Sequence, residues 1–226
     1  MRCPRCSKPV DELAETCYAC HYSIKEAEAF FGSNLVQMDR LHDVAHCLRK
    51  RDRDEVEDIL DQMEGRFPQL CFFTYLGDLQ SQIRLHELGF WLLNHVAVRG
   101  ADFSRPNENA VLVLLDVNSR QVGITLGYFA EQLLDEQSLH ACLQAARPHF
   151  INGDFGPGLC LVFKKLCKAL SRKARELKRE SPRRRSPRHG PEGPGKVSRA
   201  ALPSQAPHPL LAGLTPVYSG RVSPLS

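Results

Sequence analysis

The pattern of apolar and polar positions predicts one mixed α/β domain over residues 38–178. Apolar positions recur with helical spacing in some segments and run continuously or alternate in others. The predicted elements, in chain order, are a helix over 54–63, a strand over 70–75, a helix over 85–96, strands from 111 and over 122–126, and helices carrying apolar stripes over 139–146 and 159–170.

The order of these elements predicts how the strands pair. A strand, a helix and a second strand in sequence form a parallel pair with a right-handed crossover. The next connection, Asp116 to Arg120, is short enough for a hairpin and predicts an antiparallel neighbour. The run after Val111 lacks alternation, which is typical of a strand covered on both faces. The fold class is therefore α/β, a three-layer sandwich with a mixed central sheet.

A small zinc ribbon is predicted at the N-terminus, over residues 1–24, followed by a linker over 25–37. Two Cys-x2-Cys pairs have the spacing of metal knuckles, and two knuckles together offer four thiolates to one tetrahedral Zn²⁺. The four predicted ligands are Cys3, Cys6, Cys17 and Cys20. Ser7 and His21 follow the knuckles where glycine often stands. The five other cysteines lie in apolar patterns and are interpreted as small core residues.

Charge divides the chain into an acidic domain and a basic tail. From Ser171 onward there are 12 Lys and Arg against 3 Asp and Glu, which leaves 18 against 23 before it. Residues 179–226 are rich in proline and are predicted to form a disordered tail. Its basic residues are typical either of a segment that contacts nucleic acid or an anionic membrane surface, or of a solvated tail without a dedicated partner. No apolar run is long enough for a transmembrane segment, and no signal peptide is recognisable. We expect a cytoplasmic protein.

Three aspartates stand at the ends of predicted elements and are candidate ligands for Ca²⁺ or Mg²⁺. Asp116 ends the buried strand, Asp135 precedes a helix, and Asp154 lies in a glycine-rich break. Carboxylates at one sheet edge suit hard cations, which activate water against phosphoryl groups. Aspartate at these places is also what helix caps and turns require, and this structural interpretation is the favoured one. The sequence leaves both interpretations open.

Several motifs, taken in order, resemble the TPM domain family. Asp43 and the acidic helix resemble its start, Gly127-Tyr128-Phe129-Ala130-Glu131 its glycine-tyrosine turn, and Leu133-Leu134-Asp135 its following step. The segment from Gly153 to Leu159 resembles its close. The resemblance covers roughly residues 38–170. One departure is Phe129, which stands where the family has a second glycine in the turn.

The resemblance implies two kinds of function. Some relatives are weak, metal-assisted acid phosphatases, and others are assembly or accessory factors without chemistry of their own. No complete catalytic constellation is visible in this sequence, so we expect a non-enzymatic accessory protein with an unknown protein partner. The alternatives are a metal-dependent phosphatase using the acidic rim and a nucleic-acid-associated protein using the ribbon and the tail.

Overall fold

The computed structural model describes residues 2–11, 14–80, 82–98 and 109–180. The helices are α1 (Ile24–Phe31), α2 (Lys50–Arg66), α3 (Leu85–His95), α4 (Tyr128–Glu131), α5 (Glu136–Asn152) and α6 (Phe155–Glu180). The strands are β1 (Val36–Met38), β2 (Leu41–Asp43), β3 (Cys71–Gly77), β4 (Val96–Val98), β5 (Ala110–Asp116) and β6 (Gln121–Leu126).

The central sheet has four strands in the order β2-β3-β5-β6. The first three strands are parallel to one another, and β6 is antiparallel to β5. In the register, Asp43 pairs with Leu76 and Gly77 pairs with Asp116, so the carboxyl ends of β2, β3 and β5 share one edge. Strands β1 and β4 form a separate parallel pair. The predicted mixed sheet and its hairpin are confirmed.

Helices cover both faces of this sheet and make the predicted three-layer sandwich. One apolar cluster joins Phe72, Val111 and Val113 to helices α2, α5 and α6. The second cluster joins Phe73 and Leu112 to α3, α1 and the N-terminal segment. Strand β5 is the centre of both clusters, since its six residues from Ala110 to Leu115 are all 0% exposed.

Local sequence signals explain where α5 begins and ends. The Asp135 carboxylate accepts a hydrogen bond from the Ser138 backbone N–H at 2.7 Å, which caps the first turn. Gly153 ends the helix in the left-handed conformation, at φ +81°. The N–H of Asp154 then donates to the His149 carbonyl at 2.9 Å and closes the last turn.

The glycines at the start of α6 allow close helix packing. A Cβ at Gly156 would lie 2.4 Å from the Cβ of Asp52 on α2, and one at Gly158 would lie 2.7 Å from the Phe150 ring on α5. Both distances are shorter than a packed core tolerates. The glycine-rich segment therefore allows α6 to pack closely against α2 and α5.

Two of the predicted boundaries differ from the structure. The predicted linker, residues 25–37, contains most of α1 and the first two residues of β1. Ser23 caps α1 by accepting from the Glu26 N–H, and Trp91 Nε1 donates to the Gly32 carbonyl at 2.7 Å, which ties the helix end to α3. Helix α6 runs to Glu180, two residues into the predicted tail. Residues 181–226 lie outside the described residues.

We predict that Gly156→Ala lowers the free energy of unfolding by about 1–3 kcal/mol, because the added methyl group meets the fixed Cβ of Asp52. Gly65→Ala is the matched control, since a Cβ added there would have no neighbouring atom within 4 Å. Gly65→Ala should raise the free energy of unfolding by about 0.5–1 kcal/mol, because alanine is favoured over glycine inside a helix. Chemical denaturation measures both, and equal effects of the two substitutions would contradict the packing role.

Candidate metal centre and acidic sheet edge

The two cysteine pairs adopt the same backbone turn. The Ser7 N–H donates to the Cys3 carbonyl at 2.9 Å, and the His21 N–H donates to the Cys17 carbonyl at 2.8 Å. Ser7 and His21 have φ of +58° and +59°, the left-handed conformation that usually favours glycine. Ser7 and His21 therefore adopt the knuckle geometry although neither is glycine, and the left-handed conformation costs each of them some conformational free energy.

The four sulfur atoms lie close enough to share one ion. The ligand atoms of Cys3, Cys6, Cys17 and Cys20 are all within 4.8 Å of one another. Sγ of Cys3 lies 3.5 Å from Sγ of Cys20, and Sγ of Cys6 lies 3.6 Å from Sγ of Cys17. Sulfur atoms on a tetrahedral zinc ion are about 3.8 Å apart, given Zn–S bonds of about 2.3 Å. The donor set therefore fits a four-coordinate thiophilic metal.

The knuckle cysteines differ in how readily they form the thiolate that a metal requires. Burial raises the pKa of Cys3. Backbone hydrogen bonding at Tyr22 lowers the pKa of Cys20, but burial and hydrogen bonds to the other cysteines outweigh it and raise that pKa to about 12. Hydrogen bonding to the backbone of Ala19 is the main cause that lowers the pKa of Cys17 to about 7. A thiolate present at neutral pH binds a metal without first losing a proton.

Arg5, inside the first knuckle, joins the metal centre to the α/β domain. Its Nε donates to Glu87 of α3 at 2.9 Å, and its Nη1 donates to Glu26 of α1 at 2.5 Å. Its guanidinium carbon lies 4.4 Å from the centre of the Tyr22 ring. Because Glu87 is only 13% exposed, its charge-assisted bond to Arg5 is shielded from water. The ribbon is thereby fixed against two helices.

The ribbon also shares apolar packing with the domain. Cys3, Cys17 and Tyr22 belong to the same buried cluster as Leu112 and Leu114 of β5. The Tyr22 hydroxyl is buried, and among the described residues it has no hydrogen-bond partner. Burial raises the pKa of this phenol.

A groove of about 510 Å³ lies where the ribbon meets the domain. Its walls include Tyr22, Ala27, Phe30, Phe31, Gln82 and Arg84. The Phe30 side chain is 58% exposed and makes an edge-on contact with Phe31, with ring centres 4.8 Å apart. The groove thus combines an exposed aromatic side chain with a partly polar rim.

Asp116 lies at the carboxyl edge of the sheet, as predicted, and its side chain holds the hairpin. One carboxylate oxygen accepts from the backbone N–H groups of Leu79 and Asn118, each at 3.1 Å. The other accepts from the Ser119 hydroxyl. Asp116 is 8% exposed. Its oxygens organise the two loops that leave β3 and β5.

Asp43 has the same role at the end of β2. It accepts from the backbone N–H groups of Cys47 at 3.1 Å and Leu48 at 3.0 Å, and from Arg53 at 3.3 Å. Its side chain is 0% exposed. Sequence reasoning included Asp43 only as part of a family motif. Asp43 ends a short apolar segment, and so short a segment does not indicate that its carboxylate is buried.

The three predicted carboxylate ligands do not come together. Asp135 follows the end of β6, and β6 ends beside Val111 at the start of β5, so Asp135 lies toward the opposite edge of the sheet from Asp116. Asp154 returns toward Asp116, since Arg120 of the hairpin donates to the carbonyl of Ile151. Throughout the described part of the chain, the cysteine quartet is the group of three or more potential ligands that meets around one point.

This placement corrects the expectation of a single acidic rim. The end of an element in the sequence does not show the direction of its strand, and the antiparallel β6 reverses the direction of the chain before Asp135. Asp135 caps α5, and Asp116 orders the hairpin, which are the two structural roles left open above. Binding of Ca²⁺ or Mg²⁺ by these residues stays a prediction.

The remaining cysteines have the character of core thiols. Cys71, Cys142 and Cys160 are buried. Burial raises the pKa of Cys160 to about 11 and that of Cys47 to about 12. Thiols that stay protonated at neutral pH are poor nucleophiles and poor metal ligands.

Comparison with known proteins identifies the α/β domain. A family model described as TPM domain matches residues 41–169, more than half of the chain. The chain belongs to the TPM domain family. The N-terminal domain of the cg2496 protein from Corynebacterium glutamicum, solved by NMR in solution, is similar with a TM-score of 0.43 and 16% identity, over 68% of this chain and 90% of that one. The search of curated proteins gives no match.

The TPM domain accommodates the departure at Phe129. Phe129 lies within α4, and its φ is not positive. The turn that precedes it therefore does not require glycine at this position.

Within the described segments, none of the helices is long and apolar enough to span a membrane.

The residues that fix the ribbon to the TPM domain were missed by sequence reasoning. Arg5 and Glu87 are separated by 82 positions, and neither belongs to a recognisable motif. Charged residues of this kind are common on solvated surfaces, so the sequence carries no signal for their pairing.

We predict that Tyr22→Phe raises the free energy of unfolding by about 1 kcal/mol, because it removes a buried hydroxyl that lacks a partner. Tyr18→Phe is the control, since Tyr18 is 69% exposed and its substitution should change little. Urea denaturation of the metal-loaded protein measures both. A loss of stability in Tyr22→Phe would show that the hydroxyl is satisfied.

Proposed function

We propose that this TPM protein is a non-enzymatic accessory protein that binds a protein partner at the groove between its ribbon and its α/β domain. The observation that carries this proposal is the attachment of the ribbon through Arg5, which donates to both α1 and α3. This attachment makes the two modules one continuous surface with the groove at their junction.

The groove has the chemistry of a peptide-binding surface. Phe30 offers a large apolar side chain that is 58% exposed, and Phe31 supports it from beneath. Aromatic anchors of this kind supply much of the affinity of protein interfaces. The expected partner segment is extended or helical, and it places an apolar side chain against Phe30.

The use of the buried carboxylates also supports an accessory role over a phosphatase. Asp116 and Asp43 accept hydrogen bonds from loop amides at 3.0–3.1 Å, and both residues are buried. A metal ion recruiting either carboxylate would have to replace those bonds, at a cost of about 1–3 kcal/mol for each amide left unpaired.

We further propose that the ion held by the cysteines is zinc. Four thiolates in tetrahedral spacing suit Zn²⁺, and a closed set of four protein ligands is typical of a structural site. Cys3, Cys6, Cys17 and Cys20 would hold the ion, which supplies folding energy to the ribbon. Four reduced thiols also favour a reducing compartment such as the cytoplasm.

We predict that purified protein contains one zinc ion per chain and that Cys17→Ser loses it. Native mass spectrometry measures the stoichiometry. Cys142→Ser is the matched control, because Cys142 is buried in the other apolar cluster and should leave zinc content unchanged. Zinc retained by Cys17→Ser and lost by Cys142→Ser would contradict the assignment.

We predict that a photoreactive amino acid in place of Phe30 crosslinks to a discrete protein partner in cells, and that the same residue in place of Phe129 does not. Phe129 is the control because it is 36% exposed and lies on α4, away from the groove. The purified partner should then bind the unmodified chain, and Phe30→Ala should weaken that binding about tenfold, or about 1.4 kcal/mol.

A phosphatase would give a different result. Metal-dependent hydrolysis of a generic phosphoester by the purified protein, abolished in Asp154→Asn, would overturn the accessory role. Asp154 is the suitable position for this test because it is exposed at the surface near the hairpin.

A further inference from the structure

Helix α6 carries a straight row of cations on its solvent face. The row consists of Lys165, Lys168, Arg172, Arg175 and Arg179, all exposed. Their spacing alternates between three and four residues, which keeps them on one side of a helix. Over these positions the row is about 21 Å long.

The row faces away from the core. The buried side of the same helix segment is formed by Leu166 and Leu170. In α6, the acidic residues are Glu176 and Glu180, both near the C-terminal end. Glu176 lies one turn from Arg172 and Arg179 on the face of the row, so the helix is anchored along one side and carries five cations and one carboxylate along the other.

Within the described segments, no ion pair joins a carboxylate to Lys165, Lys168, Arg175 or Arg179, and Arg172 is the member of the row that lies near a carboxylate, that of Asp135. Arg172 donates to the Ser138 hydroxyl at 2.8 Å, and Arg175 donates to the Ser171 carbonyl of its own helix at 3.1 Å. This contrasts with Arg40, which contacts three carboxylates of α2. The acidic face of α2 therefore pairs with Arg40 and Lys164, which lie outside the row.

We propose that the α6 row binds the phosphate backbone of duplex nucleic acid without reading its sequence. Five cations in a line about 21 Å long fit a linear polyanion better than a single phosphate group. Three of the five are arginines, whose planar forks bond phosphate oxygens in pairs. The row is on the sheet face opposite to the ribbon groove, so it is a second surface, separate from the proposed partner site.

Two observations favour a duplex over other anionic partners. Residues 164–180 contain no aromatic side chain, so bases of a single strand would find no stacking surface. No large apolar side chain lies within the row to enter a lipid layer. The one exposed leucine nearby, Leu177, follows Leu170 by seven residues and so continues the core-facing side of the helix.

The sequence after the row continues the same charge. Residues 181–226 contain seven Lys and Arg against one acidic residue. This segment begins where α6 ends, so its positive charge follows that of the row directly in the sequence. Substitutions in the row leave residues 181–226 unchanged, so the contribution of the row to binding can be measured separately.

The test measures binding of the full-length, metal-loaded protein to a fluorescent DNA duplex over salt concentrations of about 50–200 mM. The variant Lys165→Gln, Lys168→Gln, Arg179→Gln removes three cations that make no hydrogen bond or ion pair within the described segments. The slope of log K against log salt should become shallower by about 2.7, since each phosphate contact contributes about 0.9. An unchanged thermal transition would show that the variant is folded.

The control variant, Lys25→Gln, Lys50→Gln, Arg51→Gln, removes the same charge from exposed positions on α1 and α2 and should leave the slope unchanged. Equal slopes for the row variant and the unmodified chain would overturn the proposal. So would tighter binding to phosphatidylserine vesicles than to the duplex, tighter binding to single strands than to the duplex, or an absence of duplex binding at about 50 mM salt.

Discussion

Burial of strand β5 on both faces is the constraint on which the rest of this structure depends. Its six residues from Ala110 to Leu115 are inaccessible to solvent, so each face of the sheet needs a complete cover. Helices α2, α5 and α6 cover one face. On the other face, α3 shares the cover with α1, Cys3, Cys17 and Tyr22. The ribbon is therefore part of a structural layer, and two of its four clustered cysteines contribute to the core of the TPM domain.

The same topology decides what the acidic residues do. Parallel strands bring Asp43 and Asp116 to one edge, where loops leave the sheet and backbone N–H groups need acceptors. Buried carboxylates meet that need, with bonds of 3.0–3.1 Å to loop amides. Because both carboxylates are buried and hydrogen-bonded to loop amides, they stabilise the loops at this edge of the sheet. The ribbon groove and the α6 row are the surfaces at which we propose that partners bind.

The sequence predicts the elements whose signals are local. The continuous apolar run of β5, the short Asp116–Arg120 connection and the left-handed Gly153 each carry their own physical cause, and the structure contains all three. Sequence reasoning missed β2, which has three residues, because pairing with β3 and not an intrinsic pattern forms it. It also misplaced Asp135, since strand direction is a property of the assembled sheet. The cysteine spacing predicts that four cysteines come together, as they do in the structure, whereas no sequence signal indicates the long-range bonds of Arg5.

The most direct test of this account is amide hydrogen exchange of helix α3 in the metal-loaded protein and after chelation. If the ribbon completes the layer over β5, metal removal frees Arg5 from Glu87 and loosens α3, so its amides should exchange faster while those of α6 stay protected. Unchanged protection of α3 after complete metal removal would contradict the central claim and show that the ribbon is an independent appendage.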